Sequence, residues 1–94
     1  MSETQLHRCP ACGTALDFAP WHGGSSSDEI CPCCGIQFGY DDAAGGDAER
    51  RRQVYDSWRE KWIAGGMQWT STGRAAPSDW DPKRQLEEIG IFVD

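Results

Sequence analysis

Cys9-Pro-Ala-Cys12-Gly13 and Cys31-Pro-Cys-Cys34-Gly35 are the two stretches that decide the fold of this chain. A Cys-x-x-Cys turn brings two sulfur atoms to one point, and two such turns supply the four corners of a tetrahedron. Proline after the first cysteine restricts the turn, and glycine after the second permits a backbone in which amides face the sulfurs. Eighteen residues separate Cys12 from Cys31, a spacing typical of four-cysteine zinc sites. The pattern predicts one structural Zn²⁺ ion, bound by Cys9, Cys12, Cys31 and Cys34.

Cys33 is the fifth cysteine, and aligning the two turns on each other separates it from the ligands. Cys34 then matches Cys12, and Cys33 matches Ala11, a position that points away from the metal in such turns. We therefore predict that Cys33 is a spare thiol. It is either a small side chain on a turn or a redox-sensitive group beside a metal site.

The four cysteines have two other possible uses. A pair of disulfides would require an oxidising compartment. Iron binds four thiolates in the same geometry, as in rubredoxin-like electron carriers, which also combine doubled Cys-x-x-Cys-Gly turns with nearby aromatic residues. In either metal site, four cysteines leave no vacant position on the ion, whereas catalytic zinc needs one. We therefore expect no enzymatic activity.

The composition is that of a small acidic protein with a limited core. Only 38% of the 94 residues are hydrophobic, and chains of this size commonly need a metal or disulfides for stability. The formal net charge of −6 argues against general nucleic-acid binding and favours a basic partner. We find no signal-peptide pattern and no apolar run near the roughly 20 residues that span a bilayer. We therefore expect a cytoplasmic protein with reduced thiols.

Residues 1–46 are predicted to form short strands separated by turns. Segment 19–27 is expected from its composition to be a loop that is mobile at its Gly/Ser tip. Asp41-Asp42 resembles a fragment of a calcium loop, but the rest of that pattern is missing, and we predict a solvated turn. The predicted strands are Gln5–Arg8, Thr14–Phe18, Asp28–Ile30 and Ile36–Tyr40.

A helix is predicted from Asp47, which can cap it, to about Ala64, with Gly65-Gly66 as its end. One stripe of this helix is apolar and also contains Arg51, which can lie flat on an indole ring. The apolar members are Val54, Tyr55, Trp58 and Trp62.

Two residue clusters on and beyond this helix have both a structural and a functional interpretation. Arg50-Arg51-Arg52 could bind phosphate, but nearby acids on the same helix favour local pairing. Four tryptophans could form a ligand platform, but in a chain with so small a core we expect them to seal the helix onto residues 1–46. They are Trp58, Trp62, Trp69 and Trp80.

The C-terminal part is predicted to be irregular from Met67 to Ser78 and to end in a short helix. Asp81-Pro82 has cap and proline in their favoured order, and Gly90 ends the helix. Leu86 and Ile89 form its apolar side. The last apolar run, residues 91–93, is expected to dock on the domain.

The sequence resembles the cysteine-rich CPCC family of small bacterial proteins over most of its length, from Cys9 to about Ile89. The resemblance implies a zinc-ribbon-like fold and the same four metal ligands. It also implies an immunity or regulatory role, since some members are thought to be encoded near toxin systems. The matching segments are Cys9-Pro-Ala-Cys-Gly13, Glu29-Ile-Cys-Pro-Cys-Cys-Gly-Ile-Gln-Phe-Gly-Tyr-Asp-Asp42, Trp58-Arg-Glu-Lys-Trp-Ile-Ala-Gly-Gly-Met-Gln-Trp69, Trp80-Asp-Pro and Gln85-Leu86.

The sequence thus predicts one compact α+β domain. Residues 1–46 form a zinc ribbon whose two turns sit on short β-hairpins, and residues 47–94 supply an amphipathic helix and a C-terminal segment packed on it. The predicted function is a non-enzymatic protein–protein interaction module, an immunity or regulatory protein for a basic partner. The alternatives are a nucleic-acid-binding zinc ribbon that uses Arg50 to Arg52, and a rubredoxin-like iron electron carrier.

Overall fold

The computed structural model, which describes residues 7–93, has two small antiparallel hairpins followed by one long and one short helix. The first hairpin pairs β1 (His7–Arg8) with β2 (Ala15–Leu16), and the second pairs β3 (Trp21–His22) with β4 (Ser25–Ser26). Helix α1 spans Ala48–Ala64 and helix α2 spans Pro82–Glu87. The predicted α+β class is confirmed.

The strands are shorter than predicted, because turns, including the two that contain the cysteines, take up most of the N-terminal backbone. Of the predicted strand Gln5–Arg8, residues 5 and 6 lie outside the described residues, and Thr14–Phe18 shortens to β2. The pair Asp28–Ile30 and Ile36–Tyr40 is replaced by a single bridge between Ile30 and Gln37. Positive φ angles of 61° at Asp28 and 92° at Gly39 end the extended backbone on both sides.

The prediction that residues 19–27 form an irregular loop was wrong, since this segment forms the β3–β4 hairpin. Gly23-Gly24 makes the two-residue turn, and Gly23 has the positive φ of 63° that such tight turns require. The amide of Ser27 donates to the carbonyl of Pro20 at 2.9 Å and extends the ladder. The glycine pair is therefore a hairpin signal here.

Asp42 is buried, with no exposed surface, so the prediction of a solvated turn was wrong for this residue. Its carboxylate accepts hydrogen bonds from Trp21 Nε1 at 2.8 Å, Tyr55 Oη at 2.6 Å and the amide of Gly39 at 2.6 Å. Buried carboxylates are stable only with such donors. Asp42 therefore ties the β3–β4 hairpin, the turn after the second Cys turn and α1 together.

Arg51 stacks on an indole ring, as predicted, and the ring belongs to Trp21 of β3. The guanidinium carbon lies 3.7 Å from the ring centroid, and Nε donates to the carbonyl of Asp42 at 3.0 Å. The stack adds a cation–π contact to the docking of α1 on the second hairpin.

Tyr55 is expected to stay protonated in alkali. Burial, together with the hydrogen bond to Asp42, raises its pKa above its ordinary value of about 10. Because the folded-state pKa is raised, its contribution to stability is complete below the unfolded pKa and is lost as the pH rises through the folded pKa. Absorbance near 295 nm, compared between the wild type and Tyr55→Phe, should show no ionisation of Tyr55 at pH 10.5. A difference titration centred on pH 10 would contradict this.

Both helices begin where the sequence predicted. The carboxylate of Asp47 accepts from the amides of Glu49 and Arg50, and that of Asp81 accepts from the amides of Lys83 and Arg84. Gly65 follows the last residue of α1, and residues 67–78 contain no regular element. An aspartate directly before a periodic apolar pattern can accept hydrogen bonds from the first amides of a helix, so it marks the start of the helix locally. This explains why these boundaries were predicted correctly.

The core lies between the Cys turns and the two helices. Its fully or nearly fully buried side chains are Leu16, Ile36, Phe38, Trp62 and Leu86 together with the cysteines. Ile91 and Val93 pack against it, but the ring between them does not, since Phe92 is 76% exposed. Docking of residues 91–93 is thus confirmed for two of its three side chains. Within residues 7–93, no helix is both long and apolar enough to cross a membrane.

Candidate metal centre

The four cysteines singled out by the sequence come together in the core. Their sulfur atoms all lie within 4.8 Å of one another. Cys9 Sγ is 3.7 Å from Cys34 Sγ, and Cys12 Sγ is 3.7 Å from Cys31 Sγ. Each close pair thus joins one cysteine of the first Cys turn (residues 9–13) to one of the second Cys turn (residues 31–35).

These distances fit a tetrahedral metal ion and do not fit disulfides. Zinc–sulfur bonds of about 2.3 Å in a tetrahedron place the sulfurs about 3.8 Å apart. A disulfide bond is about 2.05 Å long, and the five described cysteines are all free. The quartet can therefore hold one metal ion, with Cys9, Cys12, Cys31 and Cys34 as its candidate ligands.

The buried thiols of the quartet are coupled to one another through their hydrogen bonds. The hydrogen bond with Cys31 raises the pKa of Cys12, and the same contact lowers the pKa of Cys31. The buried sulfurs therefore share protons and do not all ionise by themselves. A bound divalent cation stabilises the thiolate form of all four.

The two Cys turns have the same backbone hydrogen bonds. The amide of Gly13 donates to the carbonyl of Cys9 at 2.8 Å, and the amide of Gly35 donates to that of Cys31 at 2.9 Å. Both glycines have left-handed backbones, with φ of 86° and 82°. Each of these positions therefore uses the backbone freedom for which the sequence pattern singled out glycine.

Gly13→Ala is expected to destabilise the protein far more than Gly46→Ala, although both glycines have φ above 80°. A Cβ at Gly13 would collide with the backbone carbonyl of Gln85 in α2, whereas one at Gly46 meets open space. Left-handed strain alone costs about 1–2 kcal/mol, and the collision should raise the loss at Gly13 to about 3 kcal/mol or more. Urea denaturation of both variants measures the difference. Equal losses would contradict the close approach.

The carbonyls of the first Cys turn are held by two side chains from the C-terminal half. Arg59 donates from Nε to the carbonyl of Ala11 at 2.8 Å and from Nη2 to that of Pro10 at 3.0 Å. Gln85 donates from Nε2 to the carbonyl of Cys12 at 3.1 Å. Every backbone carbonyl between the first and last residue of this turn, that is, at positions 10 to 12, therefore has a hydrogen-bond donor.

The second Cys turn has the same three acceptors satisfied by different donors. The backbone amides of Thr70 and Ser71 donate to the carbonyls of Cys33 and Pro32, at 2.9 and 2.8 Å. Trp58 Nε1 donates to the carbonyl of Cys34 at 3.0 Å. These bonds fix the orientation of the turns and hence of the sulfurs, which is how outer contacts support a metal site.

Arg59→Ala is expected to cost about 2–3 kcal/mol of stability, because two partly buried carbonyls lose a charged donor. Metal affinity should fall about tenfold, as it does when groups that orient metal ligands are removed. Arg52→Ala is the matched control on the same helix, since its ion pair with Glu49 is exposed and is worth less than about 1 kcal/mol. Thermal melts and a competition titration with a chromogenic chelator measure both effects. Equal behaviour of the two variants would contradict this role of Arg59.

Cys33 is buried and lies outside the quartet, as the alignment of the turns predicted. Its sulfur accepts a hydrogen bond from Gln85 Nε2 at 3.2 Å. The side chain therefore packs against α2, which favours the structural interpretation of this thiol over the redox-sensitive one.

The tryptophans and arginines of the C-terminal half are used largely within the chain. Trp58 and Trp62 seal α1 onto the second Cys turn, whereas Trp69 and Trp80 pack edge to face, 5.5 Å apart. Of the triplet Arg50 to Arg52, only Arg52 pairs with an acid of α1, namely Glu49, as predicted. Arg51 contacts the Trp21 ring and the carbonyl of Asp42 instead, and the described residues offer the side chain of Arg50 no ion pair.

Sequence reasoning missed Arg59 and Gln85 as supports of the site. The charge of Arg59 does not indicate by itself that this side chain contacts the first Cys turn. Its neighbour Trp58 was placed correctly on the packed face, and that position was the available signal. Gln85 belongs to the segment Gln85-Leu86 that carries part of the family resemblance, and it precedes Leu86, which the sequence placed on the apolar side of α2. Neither observation indicated a contact with the first Cys turn.

No family model, curated protein or solved structure matches this chain. The resemblance to the CPCC family therefore stays a prediction that rests on the quoted segments.

Proposed function

We propose that this protein is a structural-zinc protein of zinc-ribbon type that acts as a protein–protein interaction module without catalytic activity. The observation that carries the proposal is the closed quartet. Cys9, Cys12 and Cys31 have no exposed surface and Cys34 is only 7% exposed. Four thiolates complete a tetrahedral shell and leave no position for a substrate or a reactive water.

Zinc is proposed rather than iron because four-cysteine tetrahedral sites that build small folds typically hold zinc. Iron accepts the same four thiolates, so the geometry supports both ions. Elemental analysis of protein from cells grown with ample iron tests the choice. A colourless protein with one zinc per chain supports the proposal, and a coloured protein with one iron per chain supports the electron carrier instead.

The partner is proposed to be a basic protein of the cytoplasm. The formal net charge is −6, and four thiolates with one Zn²⁺ bring it to about −8. Such a field attracts basic surfaces and repels nucleic acid. The five free thiols fit a reducing compartment. The CPCC resemblance adds the expectation of an immunity or regulatory role.

A pull-down from cell extract with the zinc-loaded protein, at low and at high salt, tests the proposal. We expect a specific basic protein that is retained at low salt and lost at high salt, because the attraction between exposed charges is screened. The metal-free protein is the control for binding that depends on the fold. Absence of any specific partner under both conditions would contradict the proposal, and tight binding of an oligonucleotide in a filter assay would favour the nucleic-acid alternative.

A further inference from the structure

A groove runs along one side of α1, where the helix meets the second Cys turn. Two adjoining cavities, of about 430 and 390 Å³, share Trp58 and Lys61 as lining residues. Arg50 lies at one end and Trp62 at the other, with Val54 between. Most of the lining residues recur every three or four positions, so they form a single stripe of the helix.

The charge of this groove is opposite to that of the whole protein. No acidic residue lines either cavity, whereas two cations do. Within residues 7–93, the side chains of Arg50 and Lys61 have no hydrogen bond or ion pair. By contrast, Arg52 and Arg59 of the same helix are paired with Glu49 and Asp56. The groove thus holds two cations without a partner in an otherwise acidic chain.

The floor of the groove is apolar. The indole nitrogens of Trp58 and Trp62 are already used, since they donate to the carbonyls of Cys34 and Gln68 at 3.0 and 2.9 Å. The indole surface that faces the groove is therefore apolar. Cys34, the one member of the quartet with any exposed surface, lies at the same end as Trp62.

We infer that this groove binds an acidic segment of a partner protein, with an apolar side chain on Trp58 and carboxylates on Arg50 and Lys61. The inference rests on the proposed function, because it assigns a second surface, of opposite charge, to the same interaction module. The two cations are eleven positions apart, which is about 16 Å along a helix. About five residues of extended chain span that distance.

Single-stranded nucleic acid is the other anion with apolar faces, and the observations favour it less. Every phosphate of such a strand would be repelled by the protein's net charge of −6. A short peptide needs only two carboxylates, at two defined positions. Lys61 also lies beside Cys34 and would offset the charge of a tetrathiolate there. Arg50, at the far end of the groove, has no such use.

Selection from a randomised nine-residue peptide library on the zinc-loaded protein tests the inference. We expect enriched sequences with acidic residues on both sides of an apolar one. Arg50→Ala and Lys61→Ala should each weaken binding of a selected peptide about tenfold, since each removes a charged hydrogen-bond donor. Arg52→Ala, a matched loss of one arginine outside the groove, should leave binding unchanged. A bound peptide should also slow the removal of zinc by EDTA, because it covers Cys34.

The outcomes separate this inference from the proposed function. Enriched sequences that are basic, or that bind Arg50→Ala and Lys61→Ala as well as the wild type, would overturn the groove and leave the interaction module standing. Absence of any enriched sequence together with an empty pull-down would overturn both. Tighter binding of a ten-residue oligothymidylate than of any selected peptide, with loss in the same two variants, would replace the peptide by single-stranded nucleic acid. In a last outcome, Lys61→Ala loses zinc faster than the wild type but binds the selected peptide equally well. Lys61 would then only support the metal site, and the inference would be overturned.

Discussion

Cys31→Ser is expected to abolish metal binding and cooperative folding. Structural zinc contributes about 10–16 kcal/mol to zinc-dependent folds, which equals or exceeds the whole stability of a typical small domain. Loss of one of four thiolates removes a strong ligand from a site that also forms much of the core. Metal content, tryptophan emission and the thermal transition should change together. Removal of the ion from the wild type by a chelator should give the same unfolded state.

Cys33→Ser is the matched control for this prediction, because it alters the neighbouring cysteine in the same turn. Its sulfur lies outside the quartet and accepts from Gln85, and a serine hydroxyl can accept the same bond. We expect full metal content and a loss of about 1 kcal/mol. A Cys31→Ser protein with unchanged metal content and melting temperature, or a Cys33→Ser protein as damaged as Cys31→Ser, would refute the assignment of ligands.

Asp42→Ala is expected to cause the second largest loss, about 3–5 kcal/mol, since it leaves buried donors without their acceptor. The affected groups are the indole of Trp21, the hydroxyl of Tyr55 and the amide of Gly39. Tyr55→Phe removes only one of these bonds and should cost about 1 kcal/mol.

Urea denaturation with metal content held constant separates the two variants. The candidate metal site should stay intact in both, because Asp42 does not contact the cysteines through any of these bonds. A loss for Asp42→Ala no greater than that for Tyr55→Phe would show that Asp42 does not join the three segments as its contacts indicate.

The parts of the fold that could be predicted are those with local causes. The four ligands follow from two turns of five residues each, whose glycines and prolines restrict the backbone directly. The starts of α1 and α2 follow from Asp47 and Asp81, which accept hydrogen bonds from amides two and three residues later. None of these features depends on a distant part of the chain.

The parts that were missed depend on contacts between distant residues. Arg59 donates to a carbonyl 49 positions earlier, and Trp21 reaches Asp42 over 21 positions. Asp42 was predicted to be solvated because acids in a Gly-rich turn are usually exposed. No local sequence pattern indicates that donors from other segments will bind its carboxylate. The β3–β4 hairpin did have a local signal in Gly23-Gly24, which was interpreted as flexibility.

The origin of the groups that hold the Cys turns has a consequence for synthesis of the chain. All four ligands precede residue 35, but the donors to the carbonyls of both turns come from residues 58–85. A nascent chain can therefore capture an ion early, in a loosely oriented site that exchanges its metal readily. The turns have all their donors only when α2 has emerged, so the orientation of the sulfurs is completed last, by Gln85.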